Sequence, residues 1–186
     1  EAAHLWERGF AENRLCACGV PFHDCPFWSE VVSRTFGGSS SDGADRARRL
    51  LRSTARFRRL PSHWLQPMPE AYATRLAEYA SVLRSMYSAV AEVSGCDTLV
   101  DSSKRLHGYA MLRAEGLDTR VVHMVRDSRA VAHSWARRKT YEPSKGGDGR
   151  YMRQRGPVSA AQLWTADNLA SEGYRALTSA YELLRY

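Results

Sequence analysis

The chain has 186 residues, 44% of them hydrophobic and 25% charged, enough apolar material for one substantial core and an ordinary charged fraction for a globular protein. Its formal net charge is +7, and 24 of its 27 basic residues are arginine, the lysines being Lys104, Lys139 and Lys145. No run of about 18 apolar residues could span a bilayer and no signal-peptide pattern opens the chain, so a cytoplasmic protein is expected.

Guanidinium grips phosphate or sulfate through two parallel N–H bonds, whereas an ammonium acts as a point charge. The arginine bias therefore suits an oxyanion ligand, and codon bias explains it equally well. The charge is also local. Seven arginines and no acid lie between Arg46 and Arg59, and seven basic residues face two acids between Arg137 and Arg155. Such runs are ordinarily solvated faces or loops, and they can also draw in an anionic partner. The chain opens on Glu1 and stops at "YELLRY" as a strand-like run begins, which reads as a fragment.

One domain over residues 1–186 is expected. Residues 1–34 are rich in Cys and Trp and read as irregular with short helices. Here Cys16, Cys18, His23 and Cys25 form C-x-C-x4-H-x-C. Structural zinc sites pair their ligands as C-x2–4-C and return from a distant second pair, so reduced thiols and no metal are expected. Residues 35–45, "TFGGSSSDGAD", read as a flexible connection.

The remaining residues, 46–186, read as helices plus a parallel βαβα core. "RARRLLRSTARFRR" predicts a basic helix with Ala47, Leu50, Leu51, Thr54 and Ala55 on its narrow apolar side. Pro69 to Ser94 is the clearest helix: Tyr72, Leu76, Tyr79, Leu83, Met86, Val90 and Val93 recur every three or four residues, Pro69 suits the first turn and Gly95 the C-terminal cap.

From Thr98 the pattern alternates. "TLVD" predicts a strand, "SSKRLHGYAMLRAEG" a helix capped by Ser102 or Ser103 and ended at Gly116, "RVVHMV" a strand, and "SRAVAHSWARR" a helix. Short junctions between such elements imply right-handed crossovers and an α/β fold with a central parallel sheet flanked by helices. A long final helix is predicted over "GPVSAAQLWTADNLASEGYRALTSAYELL", with Leu163, Ala166, Leu169, Ala170, Tyr174 and Leu177 inward.

Open parallel sheets bind ligands beyond the carboxyl ends of their strands, and both polar clusters, "DSSK" (Asp101 to Lys104) and "RDSR" (Arg126 to Arg129), fall at such ends. A helix N-terminus there attracts phosphate through its unpaired N–H groups and dipole. Ala130, Val131, Ser134 and Trp135 share one helical stripe, placing Ser134 about one turn in, where its hydroxyl can join Arg126 around one anion. The competing reading is a serine bonded back to the Ala130 carbonyl. His123, mid-strand between apolar residues, reads as a hydrogen-bonded core histidine, and His107 and His133 as weak site candidates. Neither G-x-x-x-x-G-K-[ST] nor G-x-G-x-x-G occurs.

"RDSRAVAHS" and "LVDSSK", with "LWERGF" and "CACGVPFHDCPFW" upstream, resemble the bacterial members of the sulfotransferases that use 3′-phosphoadenosine 5′-phosphosulfate (PAPS). The resemblance implies a P-loop-NTPase-like sheet, incomplete at both ends, because the N-terminal phosphosulfate loop and the C-terminal basic loop of that family have no counterpart in these residues. It implies that Arg126 and Ser134 bind the 3′-phosphate of PAPS, and that Ser102, Ser103 and Lys104 lie near the 5′-phosphosulfate. Lys104 is then the stabiliser of the leaving phosphate, and Glu1 the general base, with His4 as runner-up. The acceptor would be a hydroxyl of a small molecule, carbohydrate or lipid, with no nucleic acid and no metal involved. The basic stretch from Arg137 to Gly156 would form a lid. The alternatives are an Arg-rich nucleic-acid-binding module, which lacks any recognition fingerprint, and a related nucleotide-dependent kinase, disfavoured by the missing lysine loop.

Overall fold

A computed structural model describes residues 5–37, 40–54, 68–102, 116–140, 151–176 and 178–186. The chain is α/β, mostly helical, with a two-stranded parallel sheet, and divides into two compact units, Glu1–Leu117 and Asp118–Tyr186.

The first unit is helical. A π-type turn spans Leu5–Ala11 and a 3-10 turn Phe22–Asp24, followed by α1 (Pro26–Phe36), α2 (Ser40–Thr54) and α3 (Glu70–Ser94). The long helix α3 is the axis on which α1 and α2 pack. Its buried residues Tyr72, Leu76, Tyr79, Leu83 and Met86 follow the predicted stripe, and Pro69 and Gly95 (φ 66°) cap it as expected. Fully burying one such side chain stabilises by roughly 1.5–3 kcal/mol. Ala47, Leu50, Leu51 and Thr54 of α2 are buried as its pattern requires, whereas Ala55 lies outside the described residues. Trp6, 1% exposed, donates its indole N–H to the Tyr79 hydroxyl at 3.3 Å.

Two expectations change here. The flexible connection at 35–45 is largely helical: α1 ends at Phe36, Gly37 turns in the left-handed region (φ 68°), and α2 already begins at Ser40. Gly43 lets the two helices approach, since a Cβ there would stand 2.4 Å from Cγ of Phe36. Nor do residues 98–101 form a strand; Val100 is 93% exposed. A short apolar run becomes a strand only when a neighbour takes its N–H and C=O groups, and among the described residues the sheet consists of β1 and β2 alone.

The second unit contains β1 (Val121–Val125), α4 (Ser128–Ala136), α5 (Pro157–Arg175) and β2 (Tyr181–Arg185). The strands pair in parallel, Val121 opposite Tyr181 and Val125 opposite Arg185. The long final helix is thus shorter than predicted, because "YELLR" leaves it to supply the ladder that β1 needs. Ala170 and Tyr174 of α5 are buried, Leu163 and Ala166 half-buried, and Leu169 is exposed. His123 faces inward while Val122, Met124 and Leu184 occupy an exposed face, so the described sheet is covered on one side.

Asp127 starts α4. Its carboxylate accepts the backbone N–H groups of Arg129 at 2.9 Å and Ala130 at 3.2 Å, while the Arg129 guanidinium lies 3.1 Å from its other oxygen. The Arg129 side chain first, then these amides, hold its pKa at about 2.

Two measurements check these contacts. Gly43→Ala would gain about 1 kcal/mol in helix propensity, but overpacking against Phe36 typically costs about 1–3 kcal/mol, so urea unfolding is expected to show a net loss. Asp127→Ala is expected to unfold more easily at neutral pH. Because the folded pKa lies below the ordinary value of 3.8, that deficit is complete above about pH 4 and fades as the pH falls through about 2. A deficit constant across a pH series would show that the carboxylate charge does not act there.

Candidate functional site

Parallel pairing puts the carboxyl ends of β1 and β2 at one edge, where Arg126 follows Val125 and Tyr186 follows Arg185. The Tyr186 N–H donates to the Val125 carbonyl at 3.2 Å, and the Arg126 guanidinium lies 6.0 Å from the Tyr186 ring centroid, at the outer reach of a cation–π contact.

The tip is tied to the interior by a run of hydrogen bonds. His123, 8% exposed, meets the Tyr181 hydroxyl through Nδ1 at 2.5 Å and Oδ1 of Asn168 through Nε2 at 3.0 Å. The Asn168 amide donates to the Trp164 carbonyl at 2.6 Å, and the Trp164 indole donates to the Arg126 carbonyl at 3.0 Å. The Tyr181 hydroxyl beside Nδ1 also donates to the Glu172 carboxylate at 3.4 Å, and that carboxylate lies 3.6 Å from Nδ1. Burial first, then the Glu172 carboxylate, push the Tyr181 phenol up to about 12, so the hydroxyl keeps its proton. His123 is thus the bonded core histidine its mid-strand position predicts.

The helix terminus itself is a different matter. Its first amides accept no outside anion while Asp127 occupies them, so the anion seat expected from backbone N–H groups at "RDSR" is filled by the chain's own carboxylate. Ser134 also stands further in than the one turn predicted. With α4 starting at Ser128 it lies in the second turn, roughly 9 Å along the axis.

What Ser134 meets there is a cation. Its Oγ accepts from Nζ of Lys139 at 2.9 Å, so the hydroxyl keeps its own proton for an anion, and the ammonium keeps two. Lys139 is the residue that sequence reasoning passed over; only its place in the basic run after α4 could have marked it. A clip holds it in position. The Met152 N–H donates to the Lys139 carbonyl at 2.7 Å, and Thr140 and Tyr151 form an antiparallel bridge. The side-chain amide of Gln154 and the N–H of Arg155 cap the carbonyls of Ala136 and Trp135 at 2.8 and 3.0 Å. The Arg138 guanidinium stacks 3.7 Å over the Tyr151 ring. Both ends of the predicted lid are therefore tied at the C-terminal end of α4, and its middle, 141–150, lies outside the described residues.

The "DSSK" cluster is described only in part. Asp101 accepts from the Tyr87 hydroxyl, and burial first, then Asp101, raise the Tyr87 phenol. Ser102 is exposed. Ser103, Lys104 and His107, like the base candidates Glu1 and His4, lie outside the described residues. His133 is exposed on α4.

In the first unit the structure groups three thiols that the spacing kept apart. Sγ of Cys25 lies 3.5 Å from those of Cys16 and Cys18, and all three fall within 4.8 Å of one another. Hydrogen bonding from the Val20 N–H is the first cause that lowers the Cys18 thiol, and burial raises that of Cys25. His23 is not of this group; its Nε2 lies 2.9 Å from the Phe10 carbonyl.

Family models, curated proteins and solved structures were each compared with this chain, and none matches it.

Proposed function

We propose that the chain is a sulfotransferase that moves a sulfuryl group from PAPS to a hydroxyl of a small-molecule, carbohydrate or lipid acceptor. One observation carries the proposal: beyond a parallel strand followed by Arg126, the next helix holds the Ser134 hydroxyl against the Lys139 ammonium. Guanidinium, hydroxyl and ammonium are all donors, the set a phosphate dianion requires. The carboxylate next in sequence to Arg126, Asp127, is held by Arg129 and the helix amides. In this reading the Arg126 guanidinium, which lies 6.0 Å from the Tyr186 ring centroid, turns toward Ser134 and Lys139 to complete the set.

In this reading the acceptor oxygen attacks sulfur, the bond from sulfur to the 5′-phosphate oxygen breaks, and the acceptor's proton passes to a base. Little covalent work falls to the protein beyond alignment and stabilisation of the leaving phosphate. Arg126, Ser134 and Lys139 hold the distal 3′-phosphate, and Ser102, Ser103 and Lys104 the leaving group. Glu1 takes the proton, with His4 second. A P-loop-like sheet and a cytoplasmic setting belong to the same proposal.

The nucleic-acid alternative loses ground on α2. Arg46 bonds Glu78 at 2.6 Å, and Arg48 and Arg52 bond Glu7 at 3.1 and 2.8 Å, so these arginines of the first basic run already face carboxylates.

Calorimetry tests the proposal. Adenosine 3′,5′-bisphosphate is expected to bind more tightly than adenosine 5′-phosphate. Arg126→Ala is expected to lose roughly 1.5–3 kcal/mol of that binding, the scale of hydrogen bonds to charged groups. Lys139→Ala is expected to lose affinity for the bisphosphate selectively, while Arg129→Ala keeps the preference. Equal affinity of the wild-type chain for the two nucleotides would sink the 3′-phosphate assignment.

A further inference from the structure

Two separate backbone devices bring the three sulfurs together. The first is a tight hairpin. Leu15 and Pro21 pair antiparallel, the Cys16 N–H donates to the Val20 carbonyl at 2.8 Å, and the Gly19 N–H to the Cys16 carbonyl at 2.9 Å. Gly19 takes φ 87°, which a residue with a Cβ rarely adopts, and the reversal turns Cys16 and Cys18 toward a common point. The second is the start of α1. Cys25 is its N-cap residue and 2% exposed, with the Ser29 N–H on its carbonyl at 2.9 Å.

We propose that Cys16, Cys18 and Cys25 form a three-thiolate binding site for a soft metal ion of the zinc class, which clips the hairpin to the N-terminus of α1. Four tetrahedral bonds of about 2.3 Å to zinc place neighbouring sulfurs about 3.8 Å apart. The two separations from Cys25 are 3.5 Å and all three sulfurs lie within 4.8 Å of one another, so only a small adjustment admits the ion. Sulfur donors select zinc-like ions over magnesium or calcium, which take oxygen. Exposed Cys18 provides the entry path and leaves the fourth coordination position to a solvent ligand.

Binding releases three protons, one from each thiol, and changes no oxidation state. A disulfide, by contrast, would bring two sulfurs to about 2.05 Å and strand the third. The site departs from the free thiols expected from the spacing, because a hairpin tip and a helix start converge without the usual paired C-x2–4-C. It does not depend on the sulfotransferase reading.

The test is elemental analysis of the whole chain, purified with reductant and without chelator, then cobalt(II) substitution of the stripped protein. One zinc per chain and an intense sulfur-to-cobalt charge-transfer band are expected. Cys18→Ser and Cys25→Ser should each weaken cobalt binding by more than about 100-fold, beyond the 10–100-fold loss typical of outer-shell partners, while Cys96→Ser leaves it intact. Cys18 is exposed, so its variant reports on binding even if Cys25→Ser fails to fold. Reduced wild-type chain with neither bound metal nor a cobalt band would overturn the proposal. An unchanged band in Cys18→Ser, or a disulfide among the three by peptide mapping of the reduced-purified protein, would overturn it as well.

Discussion

A buried imidazole holds the second unit together. An unpaired polar group at the His123 position would cost on the order of 1–3 kcal/mol, and the chain avoids that by bonding both ring nitrogens, one to Tyr181 on β2 and one to Asn168 on α5. Asn168 bonds the Trp164 carbonyl, and the Trp164 indole bonds the carbonyl of Arg126. Strand pairing, helix docking and the placement of the strand tip are therefore one connected network. It secures Arg126 by its backbone carbonyl, and the guanidinium takes no part in it.

Charge is sorted in the same way. The high arginine content looks like one large cationic surface until partners are assigned. Arg46, Arg48 and Arg52 on α2 meet Glu78 and Glu7, Arg34 meets Glu30 and Glu92, and Arg129 meets Asp127. Exposed pairs of this kind contribute little stability, with a median near 0–1 kcal/mol. Their effect lies elsewhere: they engage these guanidinium groups with the chain's own carboxylates. Asp127 plays a related part, filling its own helix terminus, so that in the proposed function the phosphate contacts fall to side chains.

The two proposed sites rest on different kinds of local geometry. At the strand tip, a helix face and a clipped loop present donors from residues five apart, Ser134 and Lys139. In the first unit, a left-handed glycine and a helix cap converge three sulfurs from residues nine positions apart at most. Neither arrangement follows a familiar spacing, and each is assembled by hydrogen bonds that the backbone makes to itself.

Periodicity alone determined what could be decided by local burial. The stripe along α3, the narrow apolar side of α2, the strand "VVHMV" with its bonded histidine, and the helix after Asp127 all follow from residue pattern, because a helix or strand that must bury one face shows that face in its sequence. Residues that need a partner elsewhere in the chain behaved differently. "TLVD" has strand composition but pairs with no described neighbour, "YELLR", strand-like in composition as β2 bears out, also fell within the predicted final helix until its pairing with β1 decided it, and Ser40 to Asp45 are helical where Gly43 accommodates Phe36. Lys139 on Ser134 and the three gathered cysteines belong to the same class. Pairing, docking and convergence are non-local free energies, and only the tertiary structure decides them.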